Sequence, residues 1–234
     1  MNSYRNNAIM AGVLFIIADA VGFLSLAFMG PVNATDYLVS VSANSGLVAT
    51  GALLIFIGGA AAIGIAISLY PVLRKYNEGL ALGAVGFRTV EGVLDIVGFI
   101  GLLLLITLSQ QFVNAGAPDS SYFRTLGVLT VSGYHLVENV AKLLAFSIGC
   151  LLYYIIFYRT KLVPRWLSGW GLVAGILSML SCLLVMFGLM APFSTEQVVL
   201  ALPMLPQEMV LAVWLIVKGF NPSVIASKSP HEDS

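Results

Sequence analysis

The sequence predicts an all-α polytopic membrane protein, a bundle of six transmembrane helices, and three observations lead there. Of 234 residues, 59% are hydrophobic and only 9% are charged, where a soluble domain carries about 25% charge. Apolar runs recur six times, at residues 8–30, 46–73, 83–108, 125–157, 166–190 and 203–220. Each reaches or approaches the roughly 20 residues that a helix needs to cross the hydrocarbon core. Lys and Arg gather on one side of those runs. Soluble, disordered and collagen-like classes are excluded, because so much apolar surface has no place in water. With 11 basic and 11 acidic residues, no basic stripe for nucleic acid exists.

The runs should be helices, since every backbone group in lipid must be satisfied within its own segment. Short alternating segments, the mark of a membrane β-barrel, are absent. The first run has Arg5 upstream and a signal-peptide-like Ser25-Leu26-Ala27, but Asp19 inside it argues for a retained membrane helix. Turn-like breaks follow at residues 31–36, 74–79 and 116–121. Tyr153, Tyr154 and Tyr158 close the fourth run, and Trp166 and Trp170 open the fifth. Rings of this kind favour a membrane interface. The sixth run contains Pro203 and Pro206. The simpler reading starts its helix near Pro203; the other is a kinked or broken span.

Six spans put both termini on one side. Arg5, Arg74, Lys75, Arg159, Lys161, Arg165, Lys218 and Lys228 fall there, and Arg124 falls opposite. The positive-inside rule then gives N-in, C-in. Residues 1–220 make one transmembrane domain, and 221–234 a polar cytoplasmic tail expected to be disordered. Gly79/Gly83 and Gly171/Gly175 are GxxxG patterns that serve packing within the chain or self-association into a homo-oligomer. Cys150 and Cys182 lie in apolar runs with no CxxC, as buried apolar thiols do.

Seven charged side chains fall inside the spans: Asp19, Arg88, Glu91, Asp95, Glu138, Lys142 and Glu208. At about 3 kcal/mol each, isolated charges would cost roughly 20 kcal/mol. They must therefore be paired, neutralised or hydrated. Arg88, Glu91 and Asp95 stand at i, i+3 and i+7, on one face of the third helix. Ser132, His135, Glu138, Asn139 and Lys142 share a stripe of the fourth. The predicted arrangement is a polar column of five acids, two bases and one His, in which acid is in excess. It points to binding or transport of a small molecule or ion, with proton or cation coupling.

Two alternatives stand beside it. One is an intramembrane metal-dependent or lipid-modifying enzyme centred on His135 and Glu138, although His-x-x-Glu supplies only two ligands. The other is a scaffold or regulatory subunit whose charges fix helix order. No cofactor is specified: there is no P-loop and no GxGxxG, and a second axial His for haem is missing from the spans. The partners expected are membrane lipids, with a small-molecule or anionic-lipid ligand for the Arg88–Lys142 region.

Three segments, RKYNEGLALGAVGFRTVEG (74–92), LVPRWLSGWGLVAGILS (162–178) and WLIVKGFNP (214–222), resemble the bacterial membrane family called domain of unknown function 4386. The resemblance implies a multi-pass protein of the bacterial inner membrane. It implies no activity, substrate or catalytic residue.

Overall fold

The computed structural model describes residues 2–116 and 121–226. Among them there is no strand, and six helical spans are long and apolar enough to cross a membrane. The first is α1 (Asn2–Ala27). A 3-10 turn (Gly30–Asn33) and the short α2 (Tyr37–Ala43) lead to the second, α3 (Ser45–Leu73). The third is α4 (Glu78–Asn114). The fourth joins α5 (Ser121–Leu136) to α6 (Leu143–Thr160) through one π-helical turn, Val137–Lys142. The fifth is α7 (Arg165–Met186). The sixth joins α8 (Thr195–Ala201) to α9 (Met204–Val217). A final short helix, α10 (Pro222–Ala226), packs Val224 and Ile225 against the core. Lys228, His231 and most of the expected tail lie outside the described residues, as do residues 117–120.

The spans pack in chain order as a closed ring. Span by span, α1 lies on α3, α3 on α4, α4 on α6, α6 on α7 and α7 on α9, and α9 returns to α1. Small residues allow the closest crossings. A Cβ added at Gly92 would stand 2.7 Å from the Gly59 carbonyl, so α3 and α4 meet backbone to backbone. The Gly171/Gly175 pattern is used within the chain: added Cβ atoms there would meet the Tyr154 ring at 2.4 Å and Cys150 Sγ at 3.0 Å.

The start of α1 and the end of α9 lie at one end of the ring. There the Arg5 guanidinium donates to the carbonyls of Leu215 (3.1 Å) and Ile216 (2.5 Å), which the last turn of α9 leaves without helical donors. Arg74, Lys75, Arg159, Lys161, Arg165 and Lys218 follow spans that return to this end. A large apolar core fills it, built around Phe15, Leu69, Tyr153, Phe157 and Leu211. A smaller core at the far end lies to one side, where Val41 of α2 meets Val48, Leu102, Leu105 and Phe112 of α3 and α4.

Three local features depart from the sequence expectations. The break after the first run contains α2, whose Leu38 and Val41 are buried. The sixth span does not start at Pro203. It begins at Thr195, capped by Ser194, and is interrupted at Leu202–Pro203 because proline has no N–H to continue the ladder. Tyr153 and Tyr154 do not sit at an interface: both are buried in the larger core, since α6 runs on to Thr160 beyond them.

Candidate functional site

Between the two cores the ring encloses a cavity of about 390 Å³. Every span contributes to its wall, including Asp19 from α1, Gly58 from α3, Glu91 from α4, Lys142 from the π-helical turn, Ser178 from α7 and Glu208 from α9.

The stripe of α4 points inward as its spacing requires: Arg88, Glu91 and Asp95 are all buried and all line the cavity. Arg88 Nη1 lies 3.0 Å from Glu91 Oε2. The angles fall short of a hydrogen bond, and Arg88 Nε also lacks a partner. The guanidinium instead stacks over Phe146 at 5.1 Å, a favourable use of a cation beside an aromatic face. Its stem passes Gly149, where an added Cβ would meet Arg88 Cγ and Cδ at 3.1 and 3.2 Å.

One α-helical turn along, the charged stripes of the third and fourth spans meet. Lys142 Nζ donates to Asp95 Oδ1 at 2.8 Å and to Glu138 Oε2 at 2.5 Å. Glu138 and Lys142 both lie in the π-helical turn. It widens the helix at Val137–Lys142, and the Asn139 side chain donates to the His135 carbonyl at 3.0 Å. Such single wide turns often occur at functional positions. Glu138 and Lys142 face the cavity together, while Ser132, expected on the same stripe, is exposed. A register that follows 3.6 residues per turn does not survive an inserted residue.

The third cluster joins the first and last spans. Asp19 of α1 and Glu208 of α9 both line the cavity, and Glu208 is buried. Tyr153 donates to Glu208 Oε1 at 3.4 Å. Beside it, Tyr154 donates to Gln207 Oε1 at 2.5 Å, and Gln207 Nε2 donates to the Leu167 carbonyl at 3.1 Å. Sequence reasoning missed Gln207 and the cavity-lining Ser178 and Gln197, and it read the two tyrosines as interfacial. The spacing Gln207-Glu208 and the tyrosine pair were visible, but nothing in the pattern paired segments more than 50 residues apart.

Eight of the nine predicted network residues line one cavity: Asp19, Arg88, Glu91, Asp95, Glu138, Asn139, Lys142 and Glu208. His135 does not line it. Its ring packs edge to face on Phe193 at 5.3 Å and lies beside Tyr134, and its buried Nε2 has no hydrogen-bond partner. Glu138 is held by Lys142 rather than by His135. Among the described residues, no group of three or more His, Cys, Asp or Glu is arranged to hold a metal ion. Phe193, which does line the cavity, adopts φ +57°, a conformation a bulky residue rarely holds. Its N–H donates to Gln197 Oε1 at 2.7 Å.

Formal charge follows directly. Five carboxyls face two cations, leaving an excess of three negative charges around the cavity before any proton is placed. The wall can therefore take up protons, a cation, or a ligand carrying positive charge.

Residues 10–219 match the model of a family described as a domain of unknown function, DUF4386. No curated protein and no solved structure matches the chain.

Proposed function

The chain belongs to the DUF4386 family, and we propose that it binds or transports a small molecule or ion within the membrane, coupled to protons or cations. The observation that carries this reading is the cavity itself. Its size falls in the range of small-molecule sites, about 300–1,000 Å³. All six spans build its wall, and that wall holds an excess of carboxyl groups at membrane depth. Ionisable groups are costly there and mark ion or substrate pathways.

In this reading Asp95, Glu138 and Lys142 form one exchangeable unit, and Asp19 with Glu208 form a second. Arg88 and Glu91 hold the wall between them. The break at Leu202–Pro203 gives α8 and α9 freedom to move separately beside the second unit, as interrupted helices do in transporters. In this reading the excess of basic residues at the end where α1 begins and α9 ends supports a cytoplasmic, N-in and C-in orientation by the positive-inside rule, with the bacterial inner membrane as the site of action.

Proteoliposomes test it. With a pH dye inside and a potassium diffusion potential imposed, the wild-type protein should move protons faster than protein-free vesicles. Asp95→Asn/Glu138→Gln protein, inserted in equal amount, should lose at least nine-tenths of that flux. A wild-type rate equal to the protein-free rate, or unchanged flux in the double variant, overturns the assignment.

A further inference from the structure

The charge on the cavity wall is unbalanced cluster by cluster. Arg88 offsets Glu91. Lys142 faces two carboxylates, Asp95 and Glu138, which leaves one negative charge. Asp19 and Glu208 add two more carboxyls to the same wall. Oxygen atoms on the same wall also lack hydrogen-bond donors. Ser178 Oγ, Glu138 Oε1, Glu91 Oε2 and Asp19 Oδ2 are buried without a hydrogen-bond partner, four oxygens against two unpartnered nitrogens on that wall, both of Arg88, which stacks over Phe146. Ser178 is 1% exposed. An unmet buried acceptor costs about 1–3 kcal/mol, and a ligand that donates hydrogen bonds or carries positive charge removes that cost. The remainder of the wall is apolar and aromatic, with Leu54, Ile55, Tyr134, Phe146 and Phe193. Ring faces favour organic cations.

The ring is also less closed at one place than elsewhere. Near the termini α1 packs along α9. Towards the far end α8 packs on α7, but α1 has no comparable contact with α8. Leu26 and Val198 line the cavity and are at the same time 54% and 50% exposed. The flanking Phe23, Leu24, Val199 and Leu202 are exposed as well. An opening bordered by such residues in a membrane span faces lipid tails, not water.

We infer that the cavity takes a lipophilic organic cation, a positive nitrogen or phosphorus centre on an apolar body, which enters sideways from the lipid between α1 and α8. The inference rests on the binding reading above and names its substrate class. An apolar body partitions into the bilayer and reaches the gap. The positive centre then settles against the carboxyl clusters.

The test uses two probes of the same shape and opposite charge, tetraphenylphosphonium and tetraphenylborate, with the full chain in a neutral detergent. Equilibrium binding should show one phosphonium per chain and at least tenfold weaker borate binding. Asp19→Asn/Glu208→Gln should weaken phosphonium binding at least tenfold while thermal unfolding stays cooperative. If that variant does not fold, Asp19→Asn alone and Ser178→Ala carry the same comparison with a smaller loss. Val198→Trp, at the gap, should slow phosphonium association at least fivefold. Borate bound as well as phosphonium overturns the charge class and leaves cavity binding intact. Neither probe bound, with acid-dependent flux present in proteoliposomes, overturns the organic cation and spares the coupling. Silence in both assays removes both readings. Unchanged association in Val198→Trp overturns the side entrance.

Discussion

Replacing Lys142 with Met removes the shared cation from two carboxylates and leaves the carboxylates in place. Nζ stands 2.8 Å from Asp95 Oδ1 and 2.5 Å from Glu138 Oε2, and the two acid side chains are 5% and 10% exposed. Breaking a buried ion pair by deleting one partner costs about 3–5 kcal/mol, because the other charge stays buried without compensation. The Lys142 side chain is 28% exposed through the cavity, so some of its charge was already solvated, and a loss near 3 kcal/mol is expected. Asp95→Asn should cost less, about 1.5 kcal/mol, since it removes one charge-assisted hydrogen bond and keeps the Lys142–Glu138 pair. In an Asp95→Asn/Glu138→Gln background, Lys142→Met should cost much less than in the wild type, because no carboxylate is left stranded. Unfolding in mixed micelles, followed by tryptophan fluorescence, gives all four corners of this cycle. A Lys142→Met loss within about 0.5 kcal/mol of zero, the size of an inconsequential surface change, would refute the argument. So would an equal loss in both backgrounds.

Tyr154→Phe strands the Oε1 of Gln207, a residue with no exposed surface, and should destabilise by about 2 kcal/mol. Adding Gln207→Leu should recover part of that loss in the same unfolding assay. Gly171→Ala places a methyl 2.4 Å from the Tyr154 ring and should cost about 1–3 kcal/mol as overpacking, with a change in tryptophan emission from α7. Arg5→Ala removes the donors to Leu215 and Ile216. It should cost about 1 kcal/mol, and amide hydrogen exchange should quicken in the last turn of α9 while α4 stays protected.

The outline of this molecule was legible because lipid imposes strict rules. Twenty apolar residues must be a helix, and a charge among them must face inward. That reasoning located Arg88, Glu91 and Asp95 on one face of the third helix and Lys142 on the stripe of the fourth, but helix order, and so whether the two stripes meet, was not encoded in the pattern. The remainder depends on relationships that no periodic pattern encodes. Tyr153 and Tyr154 read as interfacial because they close the fourth run, yet Gly171 opens a recess for the Tyr154 ring and the hydrogen bonds of both tyrosines go to residues more than 50 positions away. Ser132 was assigned to the polar stripe by counting 3.6 residues per turn, and the π-helical turn at Val137–Lys142 broke the count. The sixth span was legible as either of two structures, because Pro203 is equally at home in the first turn of a helix and at a break. What decided between them was the Ser194 cap nine residues earlier.

The central claim is that the bundle encloses an accessible cavity with an acidic wall, and thiol labelling reads it most directly. Ala18 lines the cavity, whereas Ala20, two residues along α1, faces outward. The native Cys150 and Cys182 are buried, so the wild-type protein sets the baseline. Ala18→Cys should react with a cationic methanethiosulfonate at least tenfold faster than with its anionic counterpart, and Ala20→Cys should stay near the baseline. If Ala18→Cys is as inert as Ala20→Cys, or prefers the anionic reagent, the acidic cavity is contradicted.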